Sequence, residues 1–79
     1  SDYCSPRLLL GRTYLELGRD EDAERLLREA YAAAPESIDV IEGLKDVLLA
    51  TKKYDEVSEL TKRGSELNRI YRRQWGVEP

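Results

Sequence analysis

Residues 10–35, LGRTYLELGRDEDAERLLREAYAAAP, decide the fold of this chain once they are laid on residues 44–69, LKDVLLATKKYDEVSELTKRGSELNR. At a constant offset of 34 residues Leu10 falls on Leu44, Ala23 on Val57, Leu26 on Leu60 and Ala30 on Gly64. The stretch Cys4–Glu16 falls on Ile38–Ala50 in the same register. A fixed period of this length is produced by a unit of two helices and a turn, and such units bury their apolar faces by stacking. Stacked helical pairs also present extended surfaces that hold other proteins.

Working outward, Ser5 and Pro6 read as a helix start, with serine capping free amides and proline accepted in the first turn. Leu10, Tyr14 and Leu17 recur at helical spacing and are expected to point inward. Gly18 can adopt the left-handed conformation that ends a helix, and Asp20, Glu21 and Asp22 suit the positive end of the next helix dipole. That helix should turn Ala23, Leu26, Leu27, Ala30 and Tyr31 inward and stop before Pro35. Ser37 then caps a third helix with Val40, Ile41, Leu44, Val47 and Leu48 as its apolar side. A fourth starts near Asp55 and places Val57, Leu60, Gly64, Leu67 and Tyr71 along one side. No glycine or proline stops it where its counterpart stops, so it should run to about Arg73. The pattern predicts helices near 6–17, 20–33, 37–51 and 55–73, with a core of Leu10, Tyr14, Leu27, Leu44, Leu48 and Leu60. Residues 76–79 are expected to fray.

The same residues resemble the tetratricopeptide repeat family. Leu10-Gly11, Tyr14, Gly18, Ala23, Leu27, Ala30 and Pro35 sit at its motif spacings, while Arg7 replaces the leading aromatic residue. The second unit is a looser copy: Leu44, Leu48, Tyr54, Val57, Leu60 and Gly64 fit. There Lys45 replaces a small contact residue, Thr61 a large apolar one and Arg69 the final proline. The resemblance covers roughly residues 4 to 71 and implies an all-α chain of two stacked antiparallel hairpins in one right-handed turn, a solenoid fragment. On this reading residues 1–79 form a single domain, with one repeat at about 4–37, a second at about 38–71 and an extension over 72–79. The resemblance gives Gly11 and Ala23 the role of close contacts within a hairpin. Ala30 and Gly64 would sit where neighbouring helices meet.

Composition narrows the function. The chain is 79 residues long with a net charge of −3, 41% apolar and 37% charged residues, which describes a soluble globular unit. No apolar run approaches the about 20 residues of a membrane span, and no secretory leader is evident. A lone Cys4 cannot close an internal disulfide, so a cytoplasmic setting is expected. A start at Ser1 instead of Met suggests a piece of a longer protein. Histidine is absent, which removes the commonest general base and nitrogen ligand. Cys4 has no imidazole to activate it, and the scattered glycines form no phosphate loop. An enzyme is not expected, nor a cofactor, a metal or a small-molecule substrate.

The expected activity is binding of a protein or peptide segment, or scaffolding. In the family, the first helix of each repeat lines a concave groove, which implies Ser5, Leu8, Arg12, Leu15 and Glu16 from the first unit. Asp39, Glu42 and Asp46 form a like-charge stripe on the third helix, since residues three and four apart share a face. With Leu49 beside them they would accept a basic peptide. One alternative for the stripe is a solvated helix face. A metal site is disfavoured because one straight helix cannot wrap an ion. Some family members clamp chaperone C-termini with Lys and Asn, but those positions here are Leu8, Arg12 and Gly43, so that partner is not expected. The second functional reading is an assembly fragment that packs through its C-terminal helix on its parent or on a second copy. Residues 62–79 carry five cations, Lys62, Arg63, Arg69, Arg72 and Arg73, with Tyr71 and Trp75. Nucleic-acid or membrane-surface binding through that tail ranks behind both protein readings.

Overall fold

The computed structural model describes residues 6–75. Ser5, Cys4 and the 76–79 end therefore lie outside the described residues. Four helices follow one another: α1 (Pro6–Glu16), α2 (Asp20–Ala33), α3 (Ile38–Ala50) and α4 (Tyr54–Trp75). Each differs from its expected span by at most two residues at either end. The linkers 17–19 and 51–53 fold α1 onto α2 and α3 onto α4 as two hairpins, and 34–37 joins the hairpins.

The two hairpin turns repeat each other atom for atom. In the first, Arg19 N–H donates to the Tyr14 carbonyl at 2.8 Å and Gly18 N–H to Leu15 at 3.0 Å. In the second, Lys53 N–H donates to Leu48 at 2.8 Å and Lys52 N–H to Leu49 at 3.1 Å. This paired return satisfies carbonyls that a helix end leaves open, and it requires a left-handed residue after the cap. Gly18 takes that role at φ 80° and Lys52, one period later, at φ 62°. The Arg19 guanidinium lies 4.7 Å from the Tyr14 ring centre and covers the first turn. At the start of α3 the Ser37 hydroxyl accepts from Val40 N–H at 3.3 Å, as a serine cap should.

The core runs through all four helices: Leu8, Ala23, Leu27, Ala30, Val40, Ile41, Leu44, Val47, Leu48, Leu60 and Leu67. Its tightest point joins α1 to α2, where a Cβ on Gly11 would stand 2.7 Å from Leu27 Cγ. Gly43 on α3 is nearly as close, 3.0 Å from Leu8 and 3.2 Å from Leu27 by the same measure. Glycine lets the three helices converge on Leu27 there. Gly64 does sit where α4 meets α3, as expected, but the approach there does not require a glycine, because a Cβ would make an ordinary 3.8 Å contact with Ile41.

The inward face expected for α1 needs correction. Leu10 is 43% exposed and Leu17 is 67% exposed, while Tyr14 is half-buried. One period later Leu44 is 2% exposed. The physical reason is stacking order: α3 has α2 beside it, and among the described residues no helix takes the corresponding place beside α1. Leu8 and Gly11 carry α1 into the core instead.

The α4 extension has a definite seat. Beyond Gly64, Leu67 is buried and Tyr71 half-buried. Tyr71 donates its hydroxyl to the Glu36 carbonyl at 2.7 Å, and Arg63 Nε donates to the Pro35 carbonyl at 3.1 Å. Two side chains of α4 thus strap the loop between the hairpins and satisfy two of its carbonyls.

Candidate functional site

Helical periodicity places Asp39, Glu42, Asp46 and Leu49 on one exposed stripe of α3. Glu42 approaches Lys45 Nζ at 3.5 Å. Among the described residues the Asp39 and Asp46 carboxylates make no ion pair. Asp39 lies in the first turn of α3, where the helix dipole favours a negative charge. Among the described residues no group of three or more His, Cys, Asp or Glu side chains is arranged to hold a metal ion.

Arg12 reaches this stripe from α1. Its Nη2 donates to the Asp39 carbonyl at 3.4 Å, and its Nε lies 3.6 Å from where a Cβ on Gly43 would stand. The exposed guanidinium therefore lies across the α1–α3 seam. Leu15 is half-buried against the core, and Glu16 is exposed. Leu8 corrects the sequence reading, for at 3% exposure it packs on α3 and offers no surface to a partner. Gly43 likewise belongs to packing. A glycine inside an apolar helical run is the signal of close approach, but Gly43 falls on Leu9 in the period, so the repeat did not reveal it.

The basic tail is partly engaged. Arg63 and Tyr71 hold the loop carbonyls, and Lys62 pairs with Glu59 at 3.8 Å. Arg69, Arg72 and Arg73 are exposed on α4.

A second charged feature lies between α2 and α4. Glu24 receives Lys53 Nζ at 2.7 Å and Arg28 at 2.9 Å, and Arg28 Nη2 reaches both oxygens of Glu56 at 2.9 and 3.0 Å. The Glu24 side chain is only 14% exposed. The Lys53 hydrogen bond, against the opposing effect of burial and with help from Arg28, holds its carboxyl below the ordinary value of 4.5. Burial works against the Arg28 charge, yet hydrogen bonds to Glu24 and Glu56 outweigh it and raise its pKa. Beside this chain of charges opens a crevice of about 380 Å³ with Tyr31, Leu44, Leu48 and Leu60 on its apolar side and Arg28, Glu56 and Glu59 at its rim. The Glu24–Arg28 pair is legible as an i,i+4 spacing. Lys53 and Glu56 join it only through the fold.

Comparison with known proteins agrees with the geometry. A family model described as tetratricopeptide repeat matches residues 5–47. No curated protein and no solved structure matches the chain significantly.

Proposed function

Because this chain belongs to the tetratricopeptide repeat family, whose repeats generally mediate protein–protein interaction or scaffolding, we propose that it binds a basic peptide or protein segment along α3, steered by Asp39, Glu42 and Asp46. The observation that carries this reading is the exposed stripe itself, with two of its three carboxylates unpaired among the described residues. Leu49 supplies an exposed apolar contact at its end, and Arg12 at the α1–α3 seam meets a backbone carbonyl or a carboxylate of the bound segment. Charges at such a site act mainly on specificity and association rate. Catalysis is no part of the proposal, since the chain has no histidine.

The test is calorimetry of the full chain against a basic peptide library, followed by the triple variant Asp39→Asn, Glu42→Gln, Asp46→Asn at two salt concentrations. Weakened binding that also depends less on salt supports the reading, because exposed charges are screened by ions. Unchanged affinity at both salts makes the stripe a solvated face. The exposed arginines of α4 leave nucleic acid as a separate outcome, marked by a labelled RNA shift with steep salt dependence.

A further inference from the structure

Among the described residues the exposed apolar side chains are unevenly placed: three of the six large ones, Leu9, Leu10 and Leu17, belong to or adjoin α1. The internal period explains what is uncovered. On α3 the residues Val40, Ile41, Gly43, Leu44, Val47 and Leu48 are all buried. Their counterparts 34 residues earlier are Pro6, Arg7, Leu9, Leu10, Thr13 and Tyr14, of which only Tyr14 is even half-buried. The side of α1 that corresponds to the buried side of α3 is therefore uncovered among the described residues.

The other end of the stack does not match it. Helix α2 and its C-cap offer Leu27, Tyr31 and Ala34 at positions whose counterparts on α4 are Thr61, Ser65 and Asn68, all three exposed. Head-to-tail stacking of copies would press these polar groups onto leucines and, with Thr61 already donating to the Val57 carbonyl at 2.9 Å, cut Ser65 and Asn68 off from water. The α1 face, in contrast, complements itself. Its apolar stripe Leu10–Thr13–Tyr14–Leu17 has exposed Arg7 before it and Asp20 and exposed Glu21 after it. Arg7 has a half-exposed partner in Glu29 at 3.4 Å, while among the described residues Asp20 and Glu21 make no ion pair. A two-fold axis near Thr13 and Tyr14 sets Leu10 against Leu17 of the second copy. It also brings each Arg7 to the acidic start of the other copy's α2.

We propose that two copies of this chain associate through α1, antiparallel and isologous, with Leu10, Tyr14 and Leu17 at the centre. These residues are distinct from the acidic stripe of α3, so the proposal stands or falls separately from the binding function.

Sedimentation of the full chain from micromolar to millimolar concentration tests it, with the mass expected to double. Leu10→Glu with Leu17→Glu should hold the chain at monomer mass with unchanged circular dichroism, since both side chains are exposed, while Ile70→Glu on α4 should not. In a Cys4→Ser background, Thr13→Cys should cross-link to a dimer under mild oxidation. A wild-type chain that stays monomeric throughout, or association abolished by Ile70→Glu and not by the leucine pair, overturns the proposal. So does mass that grows past the dimer, the mark of open head-to-tail stacking.

Discussion

Gly11 and Leu27 interlock: the glycine on α1 leaves a gap into which the fully buried leucine of α2 fits, with three of its atoms within 3.3 Å of the position a Cβ would take. Gly11→Ala must displace a side chain that is surrounded on all sides. Overpacking costs about 1–3 kcal/mol against about 1 kcal/mol gained in helix propensity, so a net loss of up to about 2 kcal/mol is expected. Leu27→Ala should lose about 2–5 kcal/mol as a cavity, enough to unfold much of a chain this small. The double variant should be less damaged than the sum, a coupling that denaturant titration of all four chains measures.

Lys52 holds a left-handed conformation that Gly18 adopts without strain. Lys52→Gly should stabilise by about 1 kcal/mol, and Gly18→Ala should destabilise by a similar amount. Nothing lies within 4 Å of a Cβ at Gly18, so its cost is backbone strain alone. Thermal melts moving the same way for both variants would contradict this.

Gly64→Ala should stabilise α4 by up to about 1 kcal/mol, because the added methyl meets only Ile41 at an ordinary 3.8 Å. A lower melting temperature would restore the close-packing role that the sequence period assigns to it.

Glu24 makes stability depend on acidity. Its folded pKa lies below 4.5, so across that interval the unfolded chain binds more protons and stability rises with pH. Its contribution is complete above the unfolded value and is lost as pH falls through the folded one. Glu24→Gln should therefore be less stable than wild type at neutral pH, with the difference shrinking below pH 4.5. Urea midpoints of both chains at several pH values provide the check, and a difference that stays constant would contradict it.

Helix positions and the central core, Leu27, Leu44, Leu48 and Leu60, were legible because caps and apolar spacing are local signals. Leu10 and Leu17 were misplaced because periodicity tells which side of a helix is apolar, not whether anything covers it. Leu8 was misassigned for a related reason: its groove-type position is set by the family alignment, while its burial depends on Gly43 letting α3 approach. The acidic stripe was readable from one helix alone. The Lys53–Glu24 and Arg28–Glu56 links and the contacts of Arg63 and Tyr71 join residues about an entire repeat apart, and no local pattern announces them.

The strap of Arg63 and Tyr71 across Pro35 and Glu36 changes how such an array comes apart. In a simple linear array each unit senses only its neighbour's face, and end units can open by themselves. Here the last helix grips the ledge on which the first hairpin ends. Melting the first hairpin takes away the carbonyls that anchor α4, and fraying α4 loosens the loop that sets the hairpins against each other. The chain is consequently expected to unfold as one cooperative unit, with amide protection in the final turns of α4 rising and falling with that of α2.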